Sequence, residues 1–180
     1  MITVMGIDGS ISHTGIVIIQ SKKNSLEFKV KETCVLVPKA KGDDRIIEIM
    51  NLIENKLLVH HPDLVASEDT FFGKAGPSMM KYTGTLASTI ARGRYNNLFI
   101  HNQTLKKFAT NSGKSDKEDL IKWASQFNGI YKDIKDKDFE HVADAMSAAF
   151  VGYCVLLPDD KDFNDYQKGK IADFRKELLK

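Results

Sequence analysis

Four side chains in this 180-residue chain are of the types that metal-assisted phosphodiester cleavage needs: Asp8, Glu68, His141 and Asp144. Asp8 closes an apolar run, Met1-Ile2-Thr3-Val4-Met5-Gly6-Ile7, and a glycine turn follows it. Glu68 closes a second run that contains Leu64-Val65-Ala66. His141 and Asp144 stand three apart at the start of an apolar helical stretch, so they share one helix face. Oxygen ligands with a single imidazole suit Mg²⁺ or Mn²⁺ better than zinc. A pair of such ions, about 3.5–4 Å apart, clamps the attacking and leaving oxygens of a phosphodiester. Three acids crowded together repel one another unless cations bind among them. Two rivals stand beside this set. Asp69 adjoins Glu68, but alternation along a strand sends the two to opposite faces, and Glu68 is the favoured member. Glu140 competes with His141 from a helical step away and ranks lower.

The elements that must bring these residues together can be read from periodicity. Ile2–Asp8, Thr14–Gln20 and Leu26–Val37 read as three strands joined by antiparallel connections, the first apolar on both faces as in a central strand. Asp43–Val59 carries Ile46, Ile49, Met50, Ile53 and Leu57 at helical spacing and stops before Pro62. Asp63–Glu68 is a short buried strand, Gly73–Gly76 a flexible loop and Pro77–Tyr95 a helix. Asn97–Ile100 is a further strand, followed by a polar connector. Ser115–Phe127 is a helix with Ser115 as N-cap and Glu118 completing a capping box. Phe139–Leu157 is a long core helix, Pro158–Asn164 a break, and Asp165–Leu179 a charged amphipathic helix. Three antiparallel strands followed by αβ units predict an α/β fold: a mixed sheet flanked by helices. In it Asp8 sits mid-sheet, Glu68 ends the adjacent strand, and the long helix brings His141 and Asp144 across from both.

Composition is that of an ordinary globular chain, with 42% hydrophobic and 28% charged residues and a net charge of +2. The distribution of charge says more. No Asp or Glu lies between Thr70 and Ser115, while Lys74, Lys81, Arg92, Arg94, Lys106, Lys107 and Lys114 do. A basic middle in an otherwise acidic chain is expected to be an electrostatic footprint for phosphates. Cys34 and Cys154 are 120 residues apart in no metal-binding pattern, and free thiols in a reducing compartment are expected. The longest apolar run is too short to span a bilayer, and no secretory leader opens the chain, so a cytoplasmic location is expected.

Five segments resemble the motifs of one family. Gly6-Ile7-Asp8-Gly9-Ser10-Ile11-Ser12-His13-Thr14-Gly15 is similar to the opening motif of the RuvC family of Holliday-junction resolvases. Ala66-Ser67-Glu68-Asp69-Thr70-Phe71 resembles its second acidic strand. His141-Val142-Ala143-Asp144-Ala145 resembles its C-terminal motif. Leu105-Lys106-Lys107 and Gly113-Lys114-Ser115-Asp116-Lys117 resemble its lysine-bearing segment. The resemblance covers roughly Ile2 to Tyr153. It implies a ribonuclease-H-like mixed five-stranded sheet over residues 1–157, with 158–180 as an extra C-terminal helical extension. It further implies a homodimer that makes paired, Mg²⁺-dependent cuts at four-way DNA junctions, with two Mg²⁺ per site and Mn²⁺ as a substitute. Asp8, Glu68, His141 and Asp144 would be the ligands. Lys117 and Lys106 would contact phosphates near the cut. Phe71, or the adjacent Phe72, would stack on an unpaired base, which is worth about 1–3 kcal/mol. The chain departs from the pattern at Gly9, where the family commonly has proline, in a longer loop after Glu68 and in the final helix. Such short divergent members resemble phage enzymes.

Other readings remain beside this one. Flaps, forks or RNA–DNA hybrids would be alternative substrates. Asp8-Gly9-Ser10 with Thr14-Gly15 also resembles the first phosphate loop of actin-like ATPases and sugar kinases, but 180 residues leave little room for their second domain. A non-catalytic junction binder would gain nothing from clustered acids. Gly113-Lys114-Ser115 lacks the upstream glycine of a phosphate loop, since Phe108 occupies its place. His13, His60, His61 and His101 show no metal spacing and are expected to be structural or exposed, and Trp123 to be core. Gly84 gives its helix a small, polar face that suits either a dimer contact or close packing within the subunit.

Overall fold

The computed structural model describes residues 1–22, 25, 27–69, 76–158 and 162–179. Its centre is a five-stranded sheet of β1 (Ile2–Asp8), β2 (Thr14–Ser21), β3 (Phe28–Leu36), β4 (Leu64–Glu68) and β5 (Asn97–Ile100), in the order β3-β2-β1-β4-β5. β1 pairs antiparallel with β2, with Asp8 opposite Gly15. It pairs parallel with β4, with Ile7 opposite Ser67. β1 is therefore the central strand, and the parallel β1 and β4 end on the same edge. That edge holds Asp8 and Glu68, as their positions in the sequence predict. Every residue of β1 is buried, as a strand covered on both faces requires.

Alternation assigns the faces. Val4 of β1, Val17 and Ile19 of β2, and Leu64 and Ala66 of β4 point to one side, where α5 (Phe139–Leu156) lies. Met5, Ile7, Ile16, Ile18 and Val65 point to the other, under α1 (Asp44–His60) and α2 (Pro77–Arg92). Asp8 shares parity with Val4, and Glu68 with Leu64 and Ala66, so both acids project to the α5 side, while Asp69 belongs to the opposite face. The two glycines of the opening motif set how close α5 comes. A Cβ on Gly6 would sit 2.0 Å from the carbonyl oxygen of Ala145, and one on Gly15 would sit 2.1 Å from that of His141. No side chain fits there, so the helix rests on the strand backbones.

Two expectations are corrected. The segment after β5 is not a connector but a helix, α3 (Asn102–Thr110), packed through Leu105 and Phe108. Its cap is His101, whose ring Nδ1 accepts from the N–H of Gln103 at 3.3 Å. The next helix, α4 (Lys117–Ala124), starts later than the Ser115 cap would place it. Asp116 is the cap: its carboxylate accepts from the Asp119 N–H at 2.9 Å, and Asp119 returns the bond to the Asp116 N–H. Ser115 spends its hydroxyl on Thr110 and on the carbonyl of Ser112 instead.

The last helix, α6 (Asp165–Leu178), packs on the α5 side through fully buried Ile171, with Phe174 and Leu178 around it. Trp123 is half-buried at the core margin, edge-on to Phe127 and Phe150. Both cysteines are free. Among the described residues, no helix is long and apolar enough to cross a membrane.

Candidate metal centre

Three elements deliver the acids to one place: β1 supplies Asp8, β4 supplies Glu68, and the first turns of α5 supply His141 and Asp144. Asp8 is 8% exposed, and its Oδ2 lies 2.7 Å from Nδ1 of His141. Burial raises the pKa of Asp8, against the downward pull of the His141 bond. That same bond raises the pKa of His141. Glu68 is also pushed up, first by burial and further by the Asp8 charge, while a bond from Asn102 and the charges of Lys106 and His101 pull it down.

Asp144 is strongly perturbed too. Burial, then the charges of Asp8 and Glu68, push it up to about 7, with Lys106 opposing. Its Oδ1 is buried and has no hydrogen-bond partner. A buried carboxylate oxygen without a donor is costly unless a cation or water answers it. Glu140, the rival carboxylate, pairs with Lys117, its Oε1 2.6 Å from Nζ, and its charge also reaches Asp8 and Asp144. A cleft of about 70 Å³ opens here, lined by Asn102, Lys106, Lys117, Glu140 and Asp144 among others. Among the described residues, no three His, Cys, Asp or Glu side chains are gathered closely enough to hold an ion as they stand. The acids meet instead at a range where the charge of Asp8 reaches Glu68, and the charges of both reach Asp144. The partnerless Asp144 oxygen, the like charges bearing on it and the donor set of hard oxygens with one imidazole all fit Mg²⁺ or Mn²⁺.

The basic window divides when folded. Lys106 faces the acids from α3, and Lys117 lies at the cleft mouth. Lys81, one turn into α2, pairs with Asp43 at 2.7 Å. α2 then runs back along the sheet and ends at the N-terminal edge of β4 and β5, so Arg92 and exposed Arg94 lie at the edge opposite Asp8. Arg92 approaches Glu54 there at 3.9 Å. Lys107 sits 4.0 Å above the ring of Tyr166 in α6. Lys114 lines a separate open cleft with Lys122 and Trp123. Phe71, Phe72 and Lys74, with the Gly73 loop, lie outside the described residues.

Sequence reasoning missed three contributors. Asn102 and His101 were hidden in the supposed connector. His13 was set aside for lack of spacing, yet its ring stacks on His141. The structure also explains Gly9: a Cβ there would lie 2.9 Å from Cε1 of Tyr82, which α2 inserts beneath the turn. The Thr14 hydroxyl donates to the Ser10 carbonyl at 2.6 Å. Its one proton is thus used, and the Tyr82 hydroxyl, 3.2 Å away, is the donor to Thr14.

A family profile described as crossover junction endodeoxyribonuclease RuvC matches residues 4–152. The chain is 30% identical over 151 residues to the protein of that name from Caldicellulosiruptor saccharolyticus, covering 81% of this chain and 89% of the relative. It is 30% identical over 155 residues to that of a Sulfurovum species, covering 81% and 91%. Among solved structures, T. thermophilus RuvC in complex with a Holliday junction substrate superposes with a TM-score of 0.70 at 20% identity, covering 86% of this chain and 95% of the other. The Fowlpox virus resolvase in complex with Holliday junction DNA gives a TM-score of 0.56 at 13% identity, covering 82% and 94%.

Proposed function

The chain belongs to the RuvC family of crossover junction endodeoxyribonucleases, and we propose that it resolves Holliday junctions by hydrolysing phosphodiesters at the cluster of Asp8, Glu68, His141 and Asp144. One observation carries the placement: Asp8, Glu68 and Asp144 come from three elements, and Asp144, raised by burial and then by the charges of the other two, keeps a buried oxygen that no described residue satisfies. Asp8, Glu68, His141 and Asp144 would hold two Mg²⁺, or Mn²⁺ in their stead, and the ions supply charge neutralisation and a nucleophilic water at neutral pH.

The chain's own residues do the rest. Lys106 and Lys117 offer N–H donors to phosphate oxygens as charge builds on them, the kind of contact whose loss costs about 10²–10³ in rate. Asp8 holds Nδ1 of His141, which leaves Nε2 for a ligand or a proton. Lys81, Lys107 and Lys114 steer and position the duplex arms through phosphates, as do Arg92 and Arg94 on arms that reach farther round the protein, and Lys74 adds a further phosphate-binding charge. Phe71 and Phe72 follow Glu68 in sequence and are suited to stack on bases unpaired at the crossover. Two symmetric cuts call for two copies of the site, and we assign the functional unit as a homodimer acting in the cytoplasm. The Gly84 face of α2, where a Cβ would meet nothing within 4 Å, suits a close helix contact between subunits.

The test is a labelled four-way junction incubated with the protein in Mg²⁺, beside a fork, a flap, an RNA–DNA hybrid and linear duplex. Paired cuts in the junction alone, lost on chelation and in Asp8→Asn while junction binding persists, are expected. An Asp8→Asn protein that still cuts at the wild-type rate overturns the site. Preferential cutting of flaps or forks overturns the substrate.

A further inference from the structure

His13 is the one ring on the catalytic turn to which the reading above gives no task. Its imidazole lies parallel to that of His141, with centroids 5.6 Å apart and planes 8° from parallel. Both rings are carried by backbone that has little freedom. Ser10 Oγ accepts from the N–H of Ser12 at 3.3 Å and of His13 at 3.4 Å, tying the turn to itself. Tyr82 supports it from below through Thr14. On the other side, Gly15 brings the backbone of His141 into direct contact with β2.

What is left to fix is the plane of the His141 imidazole. The 2.7 Å bond from Nδ1 to Asp8 holds one nitrogen. A single hydrogen bond does not stop the ring from rocking about the line to the carboxylate. A flat neighbour pressed on one face does, because rocking opens the stacked contact. Parallel aromatic pairs at this centroid separation are attractive.

We propose that His13 is a positioning residue for the nuclease: by stacking on His141 it fixes the plane of that imidazole, so that Nε2, the nitrogen not engaged by Asp8, keeps one direction in the site. This deepens the reading given above and rests on His141 acting in the reaction. The role needs a flat ring and no ring nitrogen, so phenylalanine should replace His13 and alanine should not.

The experiment compares full-length wild type, His13→Phe, His13→Ala and His13→Gln, with His141→Ala as reference. Three quantities are read: the ¹⁵N ring signals of His141 in metal-free protein, Mn²⁺ affinity by calorimetry without DNA, and single-turnover junction cleavage. In His13→Ala, Mn²⁺ affinity and cleavage should fall about three- to tenfold, the worth of one aromatic pair. The ring signals of His141 should shift and broaden as its Nε2 loses a fixed direction. His13→Phe should stay within about twofold of wild type, since the stacked pair persists. His13→Gln keeps polarity without a flat ring and should behave as alanine does, which decides the matter if His13→Ala fails to fold. A wild-type His141 spectrum and rate in His13→Ala or His13→Gln overturns the proposal, and so does a Phe variant as impaired as alanine. If His141→Ala cleaves normally, the reading of the site fails and takes this inference with it. If His141→Ala is impaired while the His13 variants are not, the stack alone fails.

Discussion

The two faces of the sheet are built by different rules. Under α1 and α2, contact is made by long side chains: Met5, Ile7, Ile16 and Ile18 meet Ile49, Ile53, Tyr82 and Leu86. Under α5 side chains such as Val4, Val17 and Ile19 pack as well, but at Gly6 and Gly15 the strand backbone itself meets Ala145 and His141. Interdigitated side chains can repack around a lost or added methylene at modest cost. Backbone resting on backbone cannot, because no side-chain torsion is there to yield. The face that tolerates nothing is the one that aims Asp8, Glu68, His141 and Asp144. Positional accuracy at the site is thus bought with glycine, which gives up conformational entropy on folding.

The largest effect that would test this contrast comes from Gly15→Ala. The added methyl would lie 2.1 Å from the carbonyl of His141, so α5 must lift. Overpacking on this scale costs about 3 kcal/mol, or about 6–12 °C in Tm for a chain of this length. Junction cleavage should disappear with it. A Gly15→Ala protein with wild-type melting and rate would remove the distinction between the faces.

Asp144→Asn should separate stability from activity. In the fold its carboxyl is pushed from 3.8 up to about 7. Between those values the folded protein binds a proton that the unfolded chain has released, so metal-free stability falls as pH rises through that window. The cost is fully present above about pH 7 and absent below the unfolded value. Asparagine cannot ionise and escapes it. The metal-free variant should therefore melt higher than wild type at pH 8, by about 2–4 °C for each kcal/mol recovered. The gain should vanish by pH 4, and cleavage should be lost at every pH. Differential scanning calorimetry in chelator at the two pH values decides it; a variant less stable at pH 8 would mean that Asp144 is satisfied within the apo fold.

Lys117→Ala should leave Tm unchanged, because the Lys117–Glu140 pair is exposed. Its single-turnover cleavage should fall about 100-fold. Equal cleavage by wild type and variant would assign Lys117 to the surface alone. The smallest effect belongs to the opposite face. Ile16→Val should cost about 1 kcal/mol and leave cleavage intact, since that face only has to stay folded. A loss of cleavage there would show that the α1 side aims the site too.

What could be read from the sequence was what local chemistry decides. An acid that ends a buried strand is conspicuous, so Asp8 and Glu68 stood out, and alternation alone separated Glu68 from Asp69. The His141–Asp144 pair was visible because three-residue spacing on a helix is a local fact. Hidden features depended on distant contacts or unusual caps. α3 escaped notice because its cap is a histidine ring and its apolar signal is only Leu105 and Phe108. His13 has no spacing to His141 that a sequence displays; they meet only because Gly15 admits α5. The basic window misled in one respect. A helix of 16 residues spans about 24 Å, so Arg92 and Arg94, neighbours of Lys81 in the chain, end on the far edge of the sheet.

The rear of α5 carries one more lesson. Arg175, on the appended helix beyond the matched span of 4–152, donates from Nε to the carbonyl of Val155 at 3.0 Å and from Nη2 to that of Leu157. These are open carbonyls at a helix terminus, where a cation is favoured. α6 therefore works as a buckle on the free end of the beam that carries His141. Fraying of that beam, when it comes, must first undo a fastening that lies on the tail and not in the nuclease core.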